Sequence, residues 1–557
     1  MLFKTLSMFA NPVAGGLRYP KNIRGLYDLH YEEKSIVRPY IGDQLDQDMK
    51  MWTTGRAVVI ASPTGSGKTT FIIEKIVKKA IKRNVNVLVV TNRNPLNLGY
   101  KKEVAKAVGL ADCYTTSGLQ NEEKFGTIYV VNYQGLQGFI SKNSNLHFSY
   151  VIADEVHYFL QDALFSGCTD SVLKFMAEKF RNSVRLYVSA TIDEILPYIT
   201  RYEMDAIFGG DRNWDLMEPS HLMSFLPFIY RMQADYSRIS LNFFEDIDLV
   251  ADYLASIDTQ TLAFFETIVE CEKFANAFDS SLVIHSKFLL KNPDVLEKLI
   301  QTEGFSEQCM ATTSVFSNGN NVSKKSVRSV VVNLLDLVEI IQMVGRRRID
   351  NNVENDGFDL YLPVPTLDEL DTVIKKLEMT QTKIEFFKSN DIKLMQTLLD
   401  ENEDTKLLKK FCYVDVKMKK YKINSLSEDK IYLLIRYFEF LRALISEYGP
   451  EAYCTYIAEK FGKTFNESMI FSTLEERKEI FFDFILSYSD EMSENEFEEF
   501  KEEIYDKRIK LFGKTSADNT TGKRKVQGMN AINNRLKELG IGIRFEKSGT
   551  KFKRIFV

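Results

Sequence analysis

A glycine-rich turn between an apolar run and a helix-like stretch constrains the fold of this chain more than any other feature. The run Ala57–Ala61 is followed by Ser-Pro-Thr-Gly-Ser-Gly-Lys-Thr at residues 62–69, and a helical pattern begins at Thr70. Glycines let backbone N–H groups curl around phosphate oxygens, and the N-terminus of the next helix adds positive potential. A turn that binds nothing needs neither the lysine nor the threonine. The segment therefore predicts a nucleotide site in an α/β domain.

Short apolar runs recur in two series along the chain. The first series consists of residues 57–61, 85–90, 127–131, 150–153 and 185–189. The second series consists of residues 260–265, 281–285, 308–312, 327–334 and 358–362. Short β-branched runs between polar loops are typical of strands buried on both faces of a parallel sheet. We therefore predict two tandem α/β domains, with the linker between them inside residues 220–246.

The pattern changes beyond Pro365. Thr366 and Glu369 form a plausible capping box, and helical spacing continues to about Lys510. Residues 489–503 are strongly acidic, which is typical of a solvated helix face or arm. Residues 514–557 carry eleven basic and three acidic side chains, and their pattern predicts a helix at 529–539 and a hairpin that turns at residues 548–549.

These patterns predict five segments. They are an N-terminal extension (1–35), a first, ATP-binding α/β domain (36–230), a second α/β domain (231–365), a helical accessory domain (366–510) and a small basic α+β module (511–557).

Two carboxylates, Asp154 and Glu155, end the apolar run at 150–153. An acidic pair at a strand end is common by itself, but the preceding phosphate loop favours a hydrolytic site. In such a site Asp154 and Thr69 would bind Mg²⁺, Lys68 would neutralise the β and γ phosphates, and Glu155 would polarise the attacking water. The predicted ATP-contacting residues of the loop are Thr64, Gly65, Ser66, Gly67, Lys68, Thr69 and Thr70.

The order of further motifs resembles that of the superfamily 2 helicases, specifically the DEAD/DEAH-like branch, over residues 36–365. Asp-Glu-Val-His at 154–157, Ser-Ala-Thr at 189–191 and Gln-Met-Val-Gly-Arg-Arg-Arg at 342–348 carry the resemblance, and Thr312 through Gly319 resembles the motif before the last of these. The architecture also loosely resembles helicases of phages and mobile elements. The resemblance implies two RecA-like domains that use ATP and Mg²⁺.

Individual roles follow from this resemblance. Gln342 and Arg346 would face the γ-phosphate from the second domain, and Arg348 is a second candidate for the arginine finger because Ile349 stands where the family has its second arginine. Tyr40 and Gln44 lie where relatives contact adenine. The residues that would couple the ATP site to the second domain are His157, Ser189, Thr191 and Gly319.

The nucleic-acid side is also implied by loose resemblance, at residues 91–96 and 132–136. Hydroxyls, amides and backbone N–H groups there would hold the phosphate backbone without reading bases. The basic C-terminal module is a further candidate, because phosphate contacts need clustered lysine and arginine. A solvated basic tail is the alternative. The predicted contacts are Thr91, Arg93, Gln134, Thr312, Lys523, Arg524 and Lys525.

Bulk composition adds little to these inferences. The net charge of −5 gives no overall case for nucleic-acid binding, and six widely spaced cysteines form no zinc or disulfide pattern. No run reaches the roughly 20 apolar residues of a membrane span. We therefore expect a cytoplasmic protein without a membrane partner.

The expected function is an ATP-dependent nucleic-acid helicase or translocase, with DNA favoured over RNA. The alternative is a non-unwinding, nucleic-acid-sensing regulatory ATPase of a mobile-element or antiphage defence system, which would also have a protein partner.

Overall fold

The structure is a computed structural model of the 557-residue chain. It describes residues 29–37, 40–92, 94–110, 116–210, 214, 217–313, 321–350, 353, 355–388, 406, 409–415, 420–471, 474–512 and 528–557. These residues form two compact units, one within 1–241 and 251–464, the other within Asn242–Val250 and Phe465–Val557.

The first α/β domain is built on an eight-stranded sheet. Its strands are β1 (Glu33–Ser35), β2 (Val58–Ala61), β3 (Val87–Thr91), β4 (Lys124–Phe125), β5 (Ile128–Asn132), β6 (Tyr150–Asp154), β7 (Val184–Ser189) and β8 (Phe228–Arg231). The strand order is β1-β8-β2-β7-β6-β3-β5-β4, and the described pairs are parallel except β4 with β5. All five runs of the first predicted series are strands here.

Helices cover this sheet. They are α1 (Gly42–Asp48), α2 (Lys68–Phe71, continued by a π-helical segment Ile72–Val77 and by Lys78–Arg83), α3 (Asn94–Ala107), α4 (Thr116–Asn121), α5 (Leu136–Lys142), α6 (Tyr158–Gln161), α7 (Thr169–Lys179), α8 (Leu196–Phe208) and α9 (Pro219–Leu222). Val59 belongs to the core on one face of the sheet, whereas Val58 and Ile60 belong to the core on the other. Burial on both faces explains why these strands are continuously apolar.

The second α/β domain has a six-stranded sheet. Its strands are β9 (Ile239–Phe244), β10 (Gln260–Phe265), β11 (Ser281–Ile284), β12 (Cys309–Thr312), β13 (Val327–Asn333) and β14 (Phe358–Pro363), in the order β11-β12-β10-β13-β14-β9. Its helices are α10 (Ile247–Ala255), α11 (Ile268–Ala275), α12 (Ser286–Lys291), α13 (Pro293–Thr302) and α14 (Leu337–Val344). The prediction of two tandem parallel-sheet domains of RecA-like kind is confirmed.

The connection between the two sheets lies inside residues 220–246, as expected, but it is shorter than that segment. Strand β8 pairs with β2 inside the first sheet, and strand β9 lies at the edge of the second. Only residues 232–238 connect the two strands. Pro227 directly before β8 made a four-residue strand look like a loop, because proline and short apolar runs are also typical of turns.

The following region is mostly helical, as predicted. It comprises α15 (Leu367–Lys388), a short antiparallel hairpin of β15 (Cys412–Asp415) and β16 (Lys420–Ile423), α16 (Ser425–Tyr448) and α17 (Pro450–Lys460). The capping box of Thr366 and Glu369 forms at the start of α15. The start of α16 is bound to the first domain, because the Ser425 N–H donates to Asp170 Oδ2 over 2.9 Å.

The C-terminal unit contains α18 (Leu474–Leu486), β17 (Glu491–Ser493), α19 (Glu494–Phe512), α20 (Met529–Glu538), β18 (Ile543–Ser548) and β19 (Lys551–Phe556). The predicted helix and hairpin are both present, and β19 pairs with β17 and β18. Phe497 and Phe552 stack at 3.9 Å within a core that joins α18 and α19 to the hairpin.

The acidic segment at 489–503 forms an exposed helix face, as expected, and two of its carboxylates also pair with the hairpin. Lys547 pairs with Glu494, and Lys551 and Lys553 both pair with Glu491. Residues 465–557 contain 17 basic and 17 acidic side chains, so this part of the unit has no net formal charge. The net positive charge of residues 514–557 is therefore offset by carboxylates that are close in space.

Among the described residues, no helix is both long enough and apolar enough to cross a lipid bilayer.

Candidate active site

The carboxyl ends of three neighbouring strands bring the predicted ATP-site residues together. Ala61 at the end of β2 lies opposite Ser189 at the end of β7, and Asp154 at the end of β6 lies opposite Val188. In open α/β sheets, ligands bind outside the carboxyl ends of the strands. The phosphate loop, the acidic pair and the Ser-Ala-Thr motif thus share one edge of the first sheet.

The phosphate loop has the backbone conformation that its glycines predict. Gly65 and Gly67 both have a φ of +84°, in the left-handed region that glycine adopts without steric cost. Lys68 is buried, and its ammonium donates to the carbonyl oxygens of Ser62 and Pro63 over 2.9 Å each. Burial lowers the pKa of Lys68, while the charges of Glu155 and Asp154 oppose that shift.

The rest of the loop follows the same plan. The buried Ser66 hydroxyl donates to the Ser62 hydroxyl over 3.1 Å, whereas Thr69 and Thr70 are exposed in the first turn of α2. The Thr69 hydroxyl is therefore accessible to a ligand at the helix N-terminus.

The pKa values of Asp154 and Glu155 are shifted in opposite directions. Burial, and then the negative charge of Glu155, raise the pKa of Asp154 to about 7. Burial would also raise the pKa of Glu155, but His157, Lys68 and Arg346 together hold it below its usual value. Glu155 also has a φ of +53°, which is uncommon for a residue with a side chain. Strain of this kind is typical of functional sites.

The Asp154 carboxylate is suited to a cation. Its Oδ2 accepts a hydrogen bond from the Tyr100 hydroxyl at 2.8 Å, whereas its buried Oδ1 has no hydrogen-bond partner among the described residues. Carboxylate and hydroxyl oxygens are the ligands that Mg²⁺ uses in nucleotide sites. Asp154 and Thr69 therefore fit the metal that the sequence predicts.

The second α/β domain reaches this site through α14 and the residues after it. Gly345 lies so close to Thr64 that a Cβ atom at position 345 would clash with the Thr64 hydroxyl oxygen. Gln342 Nε2 donates to the Thr191 hydroxyl over 3.0 Å. The two motif sets are thus in direct contact, with the cleft between the domains closed.

The three consecutive arginines have different surroundings. Arg346 Nη2 lies 3.9 Å from Glu155 Oε1, and Arg348 Nη1 would lie 3.4 Å from a Cβ atom on Gly65. Each has a buried guanidinium nitrogen without a hydrogen-bond partner among the described residues. Arg347 forms a fully buried ion pair with Asp356. Arg346 and Arg348 can therefore both reach a phosphate, whereas Arg347 is used within its own domain.

A chain of polar contacts joins the acidic pair to the second domain. His157 Nδ1 lies 3.4 Å from Glu155 Oε2 and 2.9 Å from Ser189 Oγ, and Ser189 Oγ accepts from the Thr191 N–H at 3.1 Å. Thr191 in turn accepts from Gln342. All five residues were predicted, Glu155 and Gln342 as catalytic residues and His157, Ser189 and Thr191 as coupling residues. The predicted partner Gly319 lies outside the described residues.

Tyr40 and Gln44 lie beside the loop. A Cβ atom on Gly67 would be 3.4 Å from the Tyr40 ring, and the Ile41 N–H donates to the Ser66 carbonyl over 3.1 Å. Gln44 Nε2 donates to the Ser35 carbonyl over 3.0 Å. Tyr40 is exposed and Gln44 is half-buried, and an adenine contact by either side chain stays a prediction.

The predicted nucleic-acid contacts are dispersed. Thr91 and Thr312 are fully buried, and their hydroxyls hydrogen-bond to Asn97 and to the Ile284 carbonyl respectively. Their hydroxyls are thus used within the protein, and a direct contact with nucleic acid is not favoured in this conformation. Gln134 is exposed and donates to the Tyr158 hydroxyl over 2.8 Å. The predicted contacts Arg93, Lys523, Arg524 and Lys525 lie outside the described residues.

One buried lysine joins three parts of the first unit. Lys430, on α16, is 1% exposed, and its ammonium lies 3.0 Å from Glu194 Oε2 and 3.0 Å from Asp336 Oδ2. Glu194 follows the Ser-Ala-Thr motif of the first domain. Asp336 caps the N-terminus of α14, which carries Gln342. The helical region therefore contacts both walls of the cleft through a single side chain.

Sequence reasoning missed Tyr100, which contacts Asp154, and Lys430. Neither belongs to a motif, and each acts through a residue far away in the chain. In the sequence, Lys430 is only a charged residue near the start of a mainly apolar helix. Its ion-pair partners cannot be predicted from that pattern.

One sheet carries a phosphate loop and an acidic pair at its edge, and the other sheet presents a Gln-x-x-Gly-Arg motif to them. Residues 28–194 match the profile of the family described as type III restriction enzyme, res subunit. This match and the order of the motifs support the resemblance to the superfamily 2 helicases.

Among solved structures, the chain is similar to Mss116p with its NTE and C-tail deleted, bound to ssRNA and AMP-PNP. The identity is 12% and the TM-score 0.41, over 65% of this chain and 90% of that one. No curated protein sequence matches the chain significantly.

Proposed function

We propose that this protein is an ATP-dependent helicase or translocase that acts on nucleic acid, with DNA as the substrate. The observation that carries the proposal is the meeting of Gln342 and Arg346 with Thr191 and Glu155 across the cleft. An arginine supplied by one domain to the phosphates held by the other makes hydrolysis depend on closure of the cleft. ATP turnover is then converted into relative motion of the domains.

Each residue of the site would have a separate role in ATP hydrolysis. Thr69 and Asp154 would hold Mg²⁺, and Lys68 would exchange its two carbonyl partners for phosphate oxygens. Glu155, whose pKa is kept low by the surrounding cations, would stay ionised and accept a proton from the attacking water. Arg346 or Arg348 would stabilise the charge that develops on the γ-phosphate.

Strand displacement tests the proposal. Wild-type protein and Lys68→Ala would be compared on forked, tailed and blunt duplexes of DNA and of RNA, with ATPase measured in parallel. We expect displacement by the wild type on DNA and none by Lys68→Ala. ATP hydrolysis without displacement of any substrate would refute the helicase assignment, and displacement of RNA alone would refute the choice of DNA.

The buried Lys430 cluster favours a second candidate, a regulatory ATPase that does not unwind. A helical region that contacts both walls of the cleft can transmit the state of the cleft to a protein partner. Such a protein would serve as a nucleic-acid sensor in a mobile-element or antiphage system. Nucleic-acid-stimulated ATPase without translocation, measured by displacement of a strand-bound protein, would support it.

A further inference from the structure

Tyr100, on α3, contacts the carboxylate that is predicted to bind Mg²⁺. The side chain is 1% exposed. Its hydroxyl donates to Asp154 Oδ2 over 2.8 Å, although no motif of the sequence includes this tyrosine.

The hydrogen bond makes the two oxygens of Asp154 different. Oδ2 is held by Tyr100, whereas Oδ1 is buried and has no hydrogen-bond partner among the described residues. Without Tyr100 the carboxylate would lose the described side chain that donates to it, and its orientation would be less restricted. A hydrogen bond from outside the metal shell fixes the orientation of a ligating carboxylate.

We propose that Tyr100 is a positioning residue that orients Asp154, and through it the Mg²⁺ of the ATP site. This inference rests on the proposed function, since it concerns the metal of the same site. A tyrosine suits the role because a phenol donates a hydrogen bond without adding a positive charge that would repel the cation.

The test is Tyr100→Phe, which removes one oxygen from a buried ring. Binding of a fluorescent, non-hydrolysable ATP analogue would be titrated with Mg²⁺, and the half-saturating Mg²⁺ concentration compared with that of the wild type. We expect it to rise at least about tenfold, as is common when an outer-shell partner of a ligand is lost. Binding of the analogue in EDTA should stay the same.

Tyr133→Phe is a matched control. Tyr133 is also fully buried, and its hydroxyl donates over 2.7 Å to the backbone carbonyl of Asp154 instead of its carboxylate. This variant loses a similar hydrogen bond near the same residue, and it should keep the wild-type Mg²⁺ dependence. Equal shifts in both variants would indicate general loosening and overturn the inference.

A double-mutant cycle with Asp154→Asn tests whether Tyr100 acts through Asp154. In the Asp154→Asn background, Tyr100→Phe should cause no further shift in the Mg²⁺ midpoint. A further tenfold shift there, or a wild-type midpoint in Tyr100→Phe alone, would overturn the inference while leaving the ATP site intact. Wild-type protein that bound the analogue without any dependence on Mg²⁺ would instead overturn the proposed site itself.

Discussion

Replacing Lys430 with methionine should destabilise the first unit strongly. The substitution keeps an unbranched chain but removes the ammonium 3.0 Å from both Glu194 and Asp336. Breaking a buried ion pair by deleting one partner costs about 3–5 kcal/mol. The Glu194 side chain is 29% exposed and that of Asp336 12%, so water can partly solvate the abandoned carboxylates. We therefore expect the lower end, about 3 kcal/mol.

Urea unfolding followed by tryptophan fluorescence measures this loss. The chain has two tryptophans, and both Trp52 and Trp214 precede the second α/β domain, so the signal reports the first one. Lys388→Met is the control. Lys388 is 58% exposed where it pairs with Glu428, and exposed ion pairs contribute about 0–1 kcal/mol.

Neutralising the two carboxylates should rescue the variant. Glu194→Gln and Asp336→Asn, added to Lys430→Met, leave no buried charge unpaired, and asparagine still caps α14. The triple variant should recover more than half of the lost stability. If Lys430→Met were no worse than Lys388→Met, or the triple variant no better than the single one, the cluster would not be a stabilising contact between the domains.

Three further outcomes are expected. Alanine at the true finger, Arg346 or Arg348, should reduce kcat by roughly a thousandfold or more while nucleotide still binds, and equal mild losses for both would contradict a finger at either position. Burial, and then the charge of Asp336, raise the pKa of Glu339 to about 8, with Glu266 and Asp162 adding to the shift and Lys430 opposing it. Between the unfolded pKa of about 4.3 and the folded pKa of about 8, the folded protein holds a proton that the unfolded chain has lost. The free energy of unfolding therefore falls as pH rises through this window. Glu339→Gln removes the titrating group, so the fall in thermal midpoints between pH 6 and 9 should be smaller in this variant. Phe552→Ala should destabilise the C-terminal unit by about 3 kcal/mol, because it deletes a buried ring stacked on Phe497; unchanged resistance of that unit to proteolysis would argue against this core.

The parts of the fold that could be predicted from the sequence are those that depend on the pattern of consecutive residues. Buried strands and the phosphate loop depend on consecutive residues, so their existence could be read directly. Strand β8 was missed because four residues after a proline do not carry enough periodicity. Its place is decided by β1 and β2 on either side of it.

The parts that sequence could not predict depend on distant partners. Tyr100 is 54 positions from Asp154, and Lys430 is 236 positions from Glu194. The charge of the C-terminal hairpin was likewise misjudged, because Glu491 and Glu494 neutralise it from a segment that the pattern assigned to another domain. Each of these contacts requires the tertiary arrangement to be known first.

The left-handed backbone at Glu155 is a local cost that the charges around it offset. This conformation costs about 1–2 kcal/mol for a residue with a Cβ atom, whereas glycine adopts it freely. Glycine at position 155 would relieve the strain, but it would also remove the buried counter-charge that lies 3.9 Å from Arg346. A strained backbone at this position therefore does not make the glutamate replaceable by a residue that fits the backbone better.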